Sequence, residues 1–140
     1  MDPVTLTAAA GTALVGAMAT DAWAQAKAIV VGLWRRVHPE RANTVEAELI
    51  EVRTEVLAAR EAGDAQTEAA LAAEWQRRLR RLLDANPNLA GEMQRVLHDE
   101  LIPMLPAAEQ TRVRTVTMAA TASGHGRVYQ AGRDQRITER

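Results

Sequence analysis

From Pro3 to Thr20 the chain carries eighteen consecutive residues without a charge. As a helix rising about 1.5 Å per residue, this stretch would reach roughly 27 Å, just short of a bilayer's hydrocarbon core of about 30 Å. Its apolar content is mild. Val4, Leu6, Leu14, Val15 and Met18 are the strongly apolar members, and Ala, Gly and Thr make up most of the rest. Such a segment has two outlets: the interior of a helical bundle or, once released, a membrane entered together with copies of itself. Ala9, Ala13 and Ala17 share one face at four-residue spacing, with Ala8, Thr12, Gly16 and Thr20 beside them. Small residues so spaced let helix backbones approach closely in either setting. Gly11 and Gly16 each weaken a helix by roughly 1 kcal/mol relative to Ala, which allows a kink or break near them.

The stretch is a poor secretion signal. Ala17-Met18-Ala19 has the small-residue spacing of a cleavage site, but Asp2 stands where a basic n-region belongs, and Thr and Gly dilute the apolar region. It is an equally poor permanent anchor, because Asp21 follows directly.

A chain of 140 residues accommodates one domain and a tail. Apolar residues at 47% suffice for a core, and the absence of Cys removes disulfides and thiolate metal sites from consideration. Phe is missing, Tyr occurs once and Ala is abundant, a mixture suited to closely packed helices rather than a β-sandwich. The net charge of −1 gives no reason to expect nucleic-acid binding. Its distribution matters more: residues 39–62 hold six acidic and three basic side chains, while residues 112–140 hold six Arg against Asp134 and Glu139.

The pattern predicts an all-α fold. A first helix is expected from about Val4 towards Arg36, with Ile29, Val30, Val31, Leu33 and Trp34 in its more hydrophobic second part. A second should run from Pro39, a residue suited to the first helical position, to Ala62, stopped by Gly63. Its seam is Val45, Leu49, Val52 and Val56. Asp64 caps a third, reaching about Asp84, with Leu71, Trp75, Leu79, Leu82 and Leu83 inward. Asn86 and Pro87 open a fourth, carrying Leu89, Met93, Val96, Leu97 and Leu101, and Pro103 and Pro106 stop it. Short loops join antiparallel neighbours, so a four-helix bundle over residues 1–106 is expected. From about Ala108 the pattern loosens. Val113 to Thr121 alternates weakly in Thr and Val, as an extended segment would, and residues 107–140 are read as a flexible tail.

No catalytic constellation stands out, and neither metal nor cofactor is expected. His38, His98 and His125 fall in different elements, and adjacent side chains such as His98, Asp99 and Glu100 diverge around a helix. Gly124, Gly126 and Tyr129 fail the dinucleotide fingerprint, which needs glycine where Tyr129 stands. Arg77, Arg78, Arg80 and Arg81 have two readings: a patch for anionic lipid head groups, each Arg worth about 1 kcal/mol near the surface, or a solvated face paired with carboxylates such as Glu74 and Asp84. Trp23 and Trp34 likewise suit either a membrane interface or a core.

In the tail, Val128, Gln130 and Gly132 would line one side of a strand, with Tyr129 and Ala131 on the other. Gln ladders, stacked aromatics and glycine turns suit cross-β assembly, whereas Arg127, Arg133 and Arg136 would repel when stacked. A disordered basic tail is the other reading. The run Gly126-Arg127-Val128-Tyr129-Gln130-Ala131-Gly132 resembles the short amyloid signalling motifs of actinobacteria, which are similar to the RIP homotypic interaction motif of animals. The shared element is Gln130 and Gly132 one residue apart with Val128 upstream; Tyr129 stands where the animal motif has Ile or Val.

That motif follows a small helical domain, and the chain opens Met1-Asp2-Pro3-Val4 and runs into an Ala/Gly-rich apolar helix. This layout resembles the Bell domain proteins, bacterial analogues of the fungal HeLo domain and of the four-helix killer domain of necroptosis. The resemblance implies a latent, pore-forming effector of programmed cell death in bacterial innate immunity and antiphage defence. It implies a partner too, an NLR-like nucleotide-binding receptor whose matching motif templates the tail into an amyloid fold. The implied location is cytoplasmic while inactive and the inner face of the cell membrane once activated. Self-association through the tail and the N-terminal helix, contact with membrane lipids and no dealings with nucleic acid complete the expectation. The alternative is a non-lytic helical adaptor that recruits partners through its tail.

Overall fold

In a computed structural model the described residues, which are 2–132 with side chains described through Ala122, form an all-helical fold with no strand among them. Met1 and residues 133–140 lie outside them. Helix α1 spans Pro3–Ala17 and α2 spans Trp23–Val37. A 3-10 turn at Pro39–Arg41 leads into α3, Ala42–Glu61, and α4 covers Ala65–Ala85. A second 3-10 turn, Pro87–Leu89, opens α5, Ala90–Val96, which widens into a π segment at Leu97–Leu101 and closes in the short α6, Ile102–Met104. Helix α7 spans Ala107–Gly132.

The first helix predicted from sequence divides in two, and the break opens just beyond Gly16, one of the two glycines near which it was expected. Helix α1 continues through Gly11 and Gly16 and ends in turns over residues 18–22. There the Thr20 hydroxyl donates to the Ala17 carbonyl at 2.9 Å and accepts from the Ala22 N–H at 3.1 Å. Such side-chain bonds compete with the helical ladder. From α3 the Arg53 Nε donates to the Met18 carbonyl at 3.0 Å, placing a cation at the negative end of α1. At the other end the Asp2 carboxylate accepts from the Thr5 N–H at 2.7 Å, with Pro3 following at the first helical position.

The turn between α3 and α4 follows its residues closely. Gly63 takes φ +68°, its N–H bonds the Arg60 carbonyl and the Asp64 N–H bonds that of Ala59. This is a Schellman stop, and the positive φ is the reason for glycine. Asp64 then caps α4 by accepting from the Thr67 N–H at 3.1 Å.

Two expectations for the C-terminal third are corrected. Pro103 does not stop the fourth helix; it lies inside α6, and the chain leaves helix at Leu105, in extended conformation just before Pro106. Proline offers no N–H and crowds the carbonyl four residues back, and the π segment directly before it absorbs that conflict. The second correction is larger. Val113 to Thr121 is helical, and a flexible tail does not begin at residue 107, because the first turns of α7 pack along α1. Glu109 and Val113 are buried there, with Val116 and Thr117 half-buried. Threonine hydroxyls at 111, 115 and 117 each bond the carbonyl four residues back, which lets a Thr-rich run stay in helix.

Helix α1 is the axis of the molecule. It packs on α4 and α7 along much of its length and also meets α2, α5 and the π segment. Around it the core gathers Trp34, Leu49, Trp75, Leu79, Met93 and Leu97, all buried. The rings of Trp34 and Trp75 meet edge to face, 6.2 Å apart at 79°.

Candidate functional site

Helix α1 owes its central position to its small, uncharged residues. Leu6, Leu14, Val15 and Met18 are each at most 1% exposed, whereas Val4 at the mouth of the bundle is 41% exposed. Four of the five residues expected to enter a membrane are therefore enclosed by protein. The small residues set the contact distances. A Cβ on Gly11 would come 2.5 Å from Gln76 Cγ and 3.1 Å from the Ala72 carbonyl of α4. One on Gly16 would come 2.7 Å from Glu109 Oε1 of α7. No side chain other than hydrogen fits at Gly11 without movement of backbone. The polar contacts along this seam are Gln76 Nε2 to the Ala8 carbonyl at 3.3 Å and to the Thr12 hydroxyl at 3.4 Å.

Over Gly16 lies an ionic clasp that joins α3, α4 and α7. Arg60 donates through Nε and Nη2 to both oxygens of Glu68, at 3.0 and 2.9 Å. The same guanidinium donates to both oxygens of Glu109, at 2.9 and 3.1 Å. Arg112 adds a bond to Glu68 at 2.8 Å from the solvent side. The Glu109 side chain is 7% exposed and Arg60 26%, so these charges are largely withdrawn from water. The hydrogen bonds to Glu109, then those to Glu68, raise Arg60 above the ordinary arginine value. A buried carboxylate tolerated at this point needs its partner: removal of either leaves an uncompensated charge. Beside the clasp a groove of about 430 Å³ opens between α1, α4 and α7, with Thr12, Val15, Ala69, Ala72 and Val116 on its walls. Sequence reasoning missed the clasp. Glu109 fell within the stretch expected to be a flexible tail, and no local pattern joins Arg60 to a residue 49 positions away.

The four clustered arginines of α4 do not form one patch. Arg77 and Arg81 are exposed; Arg80 is half-buried and pairs with Asp84 at 3.1 Å. Arg78 turns towards α3, where Glu48 accepts its Nη2 at 2.7 Å, and its guanidinium lies 4.3 Å from the Trp75 ring centre. Trp34 is buried, and Trp23 packs half-buried on the core with Lys27 and Arg53 near its ring. The backbone span of α7 runs through Val128, Tyr129, Gln130 and Gly132, so these residues are helical rather than extended in this state. Their side chains, and that of His125, lie outside those described. His38 Nδ1 stands 3.6 Å from Glu40, remote in sequence from His98. Among the described residues no three metal-type side chains gather, and no helix is long and apolar enough to cross a membrane.

No protein-family model matches the chain, and no match is found among curated proteins or solved structures.

Proposed function

We propose that this chain is a latent membrane-permeabilising, pore-forming effector of cell death, held inactive by enclosure of α1. The observation that carries the reading is the position of α1. An uncharged helix with small-residue faces occupies the centre of the bundle, where a polar clasp on α7 covers it. The small residues that let α1 pack closely leave it few bulky apolar side chains to anchor it in the bundle. Weak hydrophobicity leaves it transferable between protein and lipid, and its small faces then pack helix on helix. The helix that closes the clasp is also the one whose backbone continues into the Val128–Gly132 motif. Templated assembly of that motif by an NLR-like receptor bearing a matching copy would unwind the far end of α7, strain the clasp and raise the local concentration of released α1. The resting protein is then cytoplasmic and the active one lies at the inner face of the cell membrane. The exposed Arg77 and Arg81 would meet anionic head groups. No cofactor or catalytic step enters this scheme.

One observation favours the alternative, a non-lytic adaptor. The helix proper is 15 residues, about 22 Å, so a lone α1 is short for a bilayer core of about 30 Å. Permeabilisation would need local thinning or several copies.

The chain has no Cys, and the Cβ position at Gly16 lies 3.6 Å from that of Glu109, within the range of a disulfide. A Gly16→Cys, Glu109→Cys double variant therefore tethers α1 to α7 when oxidised. The expected result is dye release from anionic liposomes by the reduced protein and none by the oxidised one. Equal release from both would overturn the proposal, and no release by the folded wild-type chain under any seeding with the motif would favour the adaptor.

A further inference from the structure

The corner where α2, the Pro39–Arg41 turn and α4 meet contains a recess of about 160 Å³. Trp34, His38, Arg41, Arg78, Arg81 and Leu82 line it, so three arginines and a histidine, drawn from α4, the Pro39–Arg41 turn and the end of α2, border one space. No carboxylate is among the lining residues. Trp34 is 4% exposed and gives the recess a flat apolar wall. Arg78 is held in place by Glu48 at 2.7 Å and by the two indoles, its guanidinium carbon being 4.3 Å from the ring centre of Trp75 and 5.9 Å from that of Trp34. Arg41 and Arg81 are exposed and make no ion pair among the described residues.

Charge decides what such a recess attracts. Helices α2 and α4 both end here, at Val37 and Ala85, and each carbonyl end carries roughly half a negative charge. Those ends together offset about one guanidinium, and Glu48 offsets a second. Glu40, 3.6 Å from His38 Nδ1, balances the imidazole if it is protonated. About one positive charge remains, on arginines that have no carboxylate of their own. The planar fork of arginine matches the oxygens of a phosphate better than a point charge does. At about 160 Å³ the recess has room for a phosphate group together with bound water.

We propose that this recess is a binding site for a terminal phosphate, with Arg41 and Arg81 as its principal donors and Arg78, His38 and Trp34 as its fixed walls. The ligand chemistry is that of a phosphomonoester, carried either by a free phosphate compound or by a lipid head group. The site differs from a diffuse arginine patch on α4: it includes Arg41 and His38 from outside that helix and excludes Arg77 and Arg80. It stands whether or not the chain permeabilises membranes.

The test uses the full chain. Inorganic phosphate is titrated while the backbone amides of Arg41, Leu82 and Ala85 are followed by NMR. In a second arm, phosphatidylcholine vesicles with and without phosphatidic acid are assayed by co-sedimentation. Saturable shifts at the three amides are expected. Arg41→Gln and Arg81→Gln should each weaken binding about tenfold, Glu48→Gln should tighten it, and Arg114→Gln on α7 should leave it unchanged. Binding in both arms assigns the ligand to a lipid head group, and binding of inorganic phosphate alone assigns it to a soluble compound. If a Gln variant loses its circular dichroism signal, Arg41→Lys and Arg81→Lys keep the charge but lose the fork and should still weaken binding. The absence of saturable shifts overturns the proposal, as does an Arg114→Gln effect equal to that of Arg81→Gln. Full binding by folded Arg41 and Arg81 variants does so too, since those arginines then serve only the two helix ends.

Discussion

Gly11, Gly16 and Gly32 share a residue type and a helical setting but differ in what stands beside them. A Cβ at Gly32 meets nothing within 4 Å, so Gly32→Ala gains helix propensity, about 1 kcal/mol, without a clash. At Gly11 the same gain is opposed by α4 backbone atoms at 3.0 and 3.1 Å and by Gln76 Cγ at 2.5 Å. Overpacking of that kind costs about 1–3 kcal/mol and outweighs the propensity. Urea denaturation should therefore move in opposite directions, raising the midpoint for Gly32→Ala and lowering it for Gly11→Ala. Arg60 poses the electrostatic counterpart. Arg60→Ala leaves the 7%-exposed Glu109 carboxylate without its main partner, and a loss of about 3 kcal/mol is expected, read by the same denaturation. Amide exchange should quicken first around Glu109–Val113, because the clasp holds that turn against α1.

The helix caps give this protein a defined acid response. The Thr5 N–H first of all holds the Asp2 carboxyl below its ordinary 3.8, and the Thr67 hydroxyl and then its N–H do the same for Asp64. Carboxyls lowered in the folded state contribute stability that is complete above their unfolded value and lost as pH falls through the lower folded one. Asparagine caps a helix about as well but does not titrate. The Asp2→Asn, Asp64→Asn protein should match the wild type near neutrality and lose stability less steeply below about pH 4, as followed by thermal melts across that range. At the same scale, α7 illustrates how tertiary contact overrides local preference. Its Val and Thr content favours extended chain, yet Glu109, Val113, Val116 and Ala120 recur at steps of four, three and four, and this side meets α1.

The whole molecule surrounds a helix that is its least polar and least bulky. Bundles usually place an amphipathic helix at each corner; here α1 is enclosed along nearly its full length, and its neighbours carry the polar faces. An Asp at Leu14 or Val15 therefore tests two things together, because both positions are at most 1% exposed. Such variants are expected to lose membrane leakage, through a cost of about 2.5–3.5 kcal/mol in an inserting helix, and to lose bundle stability as well. Removal of residues 1–20, with dye release and circular dichroism measured together, separates the two effects only if the remaining helices stay folded. The disulfide tether compares oxidised and reduced forms of one variant, so loss of the Glu109 carboxylate from the clasp affects both alike. For the far end of α7, a peptide spanning residues 124–137 should form fibrils that Gln130→Asp or Gly132→Val abolish, since stacked carboxylates repel and valine obstructs a turn that needs glycine. A peptide that stays monomeric even when seeded with a partner motif would remove assembly through the tail from the scheme.

Local chemistry was enough to read the helical class, the Gly63 stop, the Asp64 cap, the opening at Pro87 and the inward rows of α3 and α4. Each of these depends on residues within a few positions of one another, where dihedral preference and hydrogen-bond reach act directly. The enclosure of α1 was half legible. Its uncharged, small side chains pointed to close packing, but the choice among neighbours depended on residues far along the chain, such as Ala72 and Glu109. What only the tertiary structure decided follows from the same cause. The carbonyl of Met18 at the end of α1 is met by Arg53 from α3, the fate of each arginine on α4 depends on which partner its direction meets, and the first turns of α7 are ordered by a carboxylate that Arg60 holds from 49 residues away. Charges of this kind look solvated in sequence, because burial, and with it the need for a partner, exists only once the helices have packed.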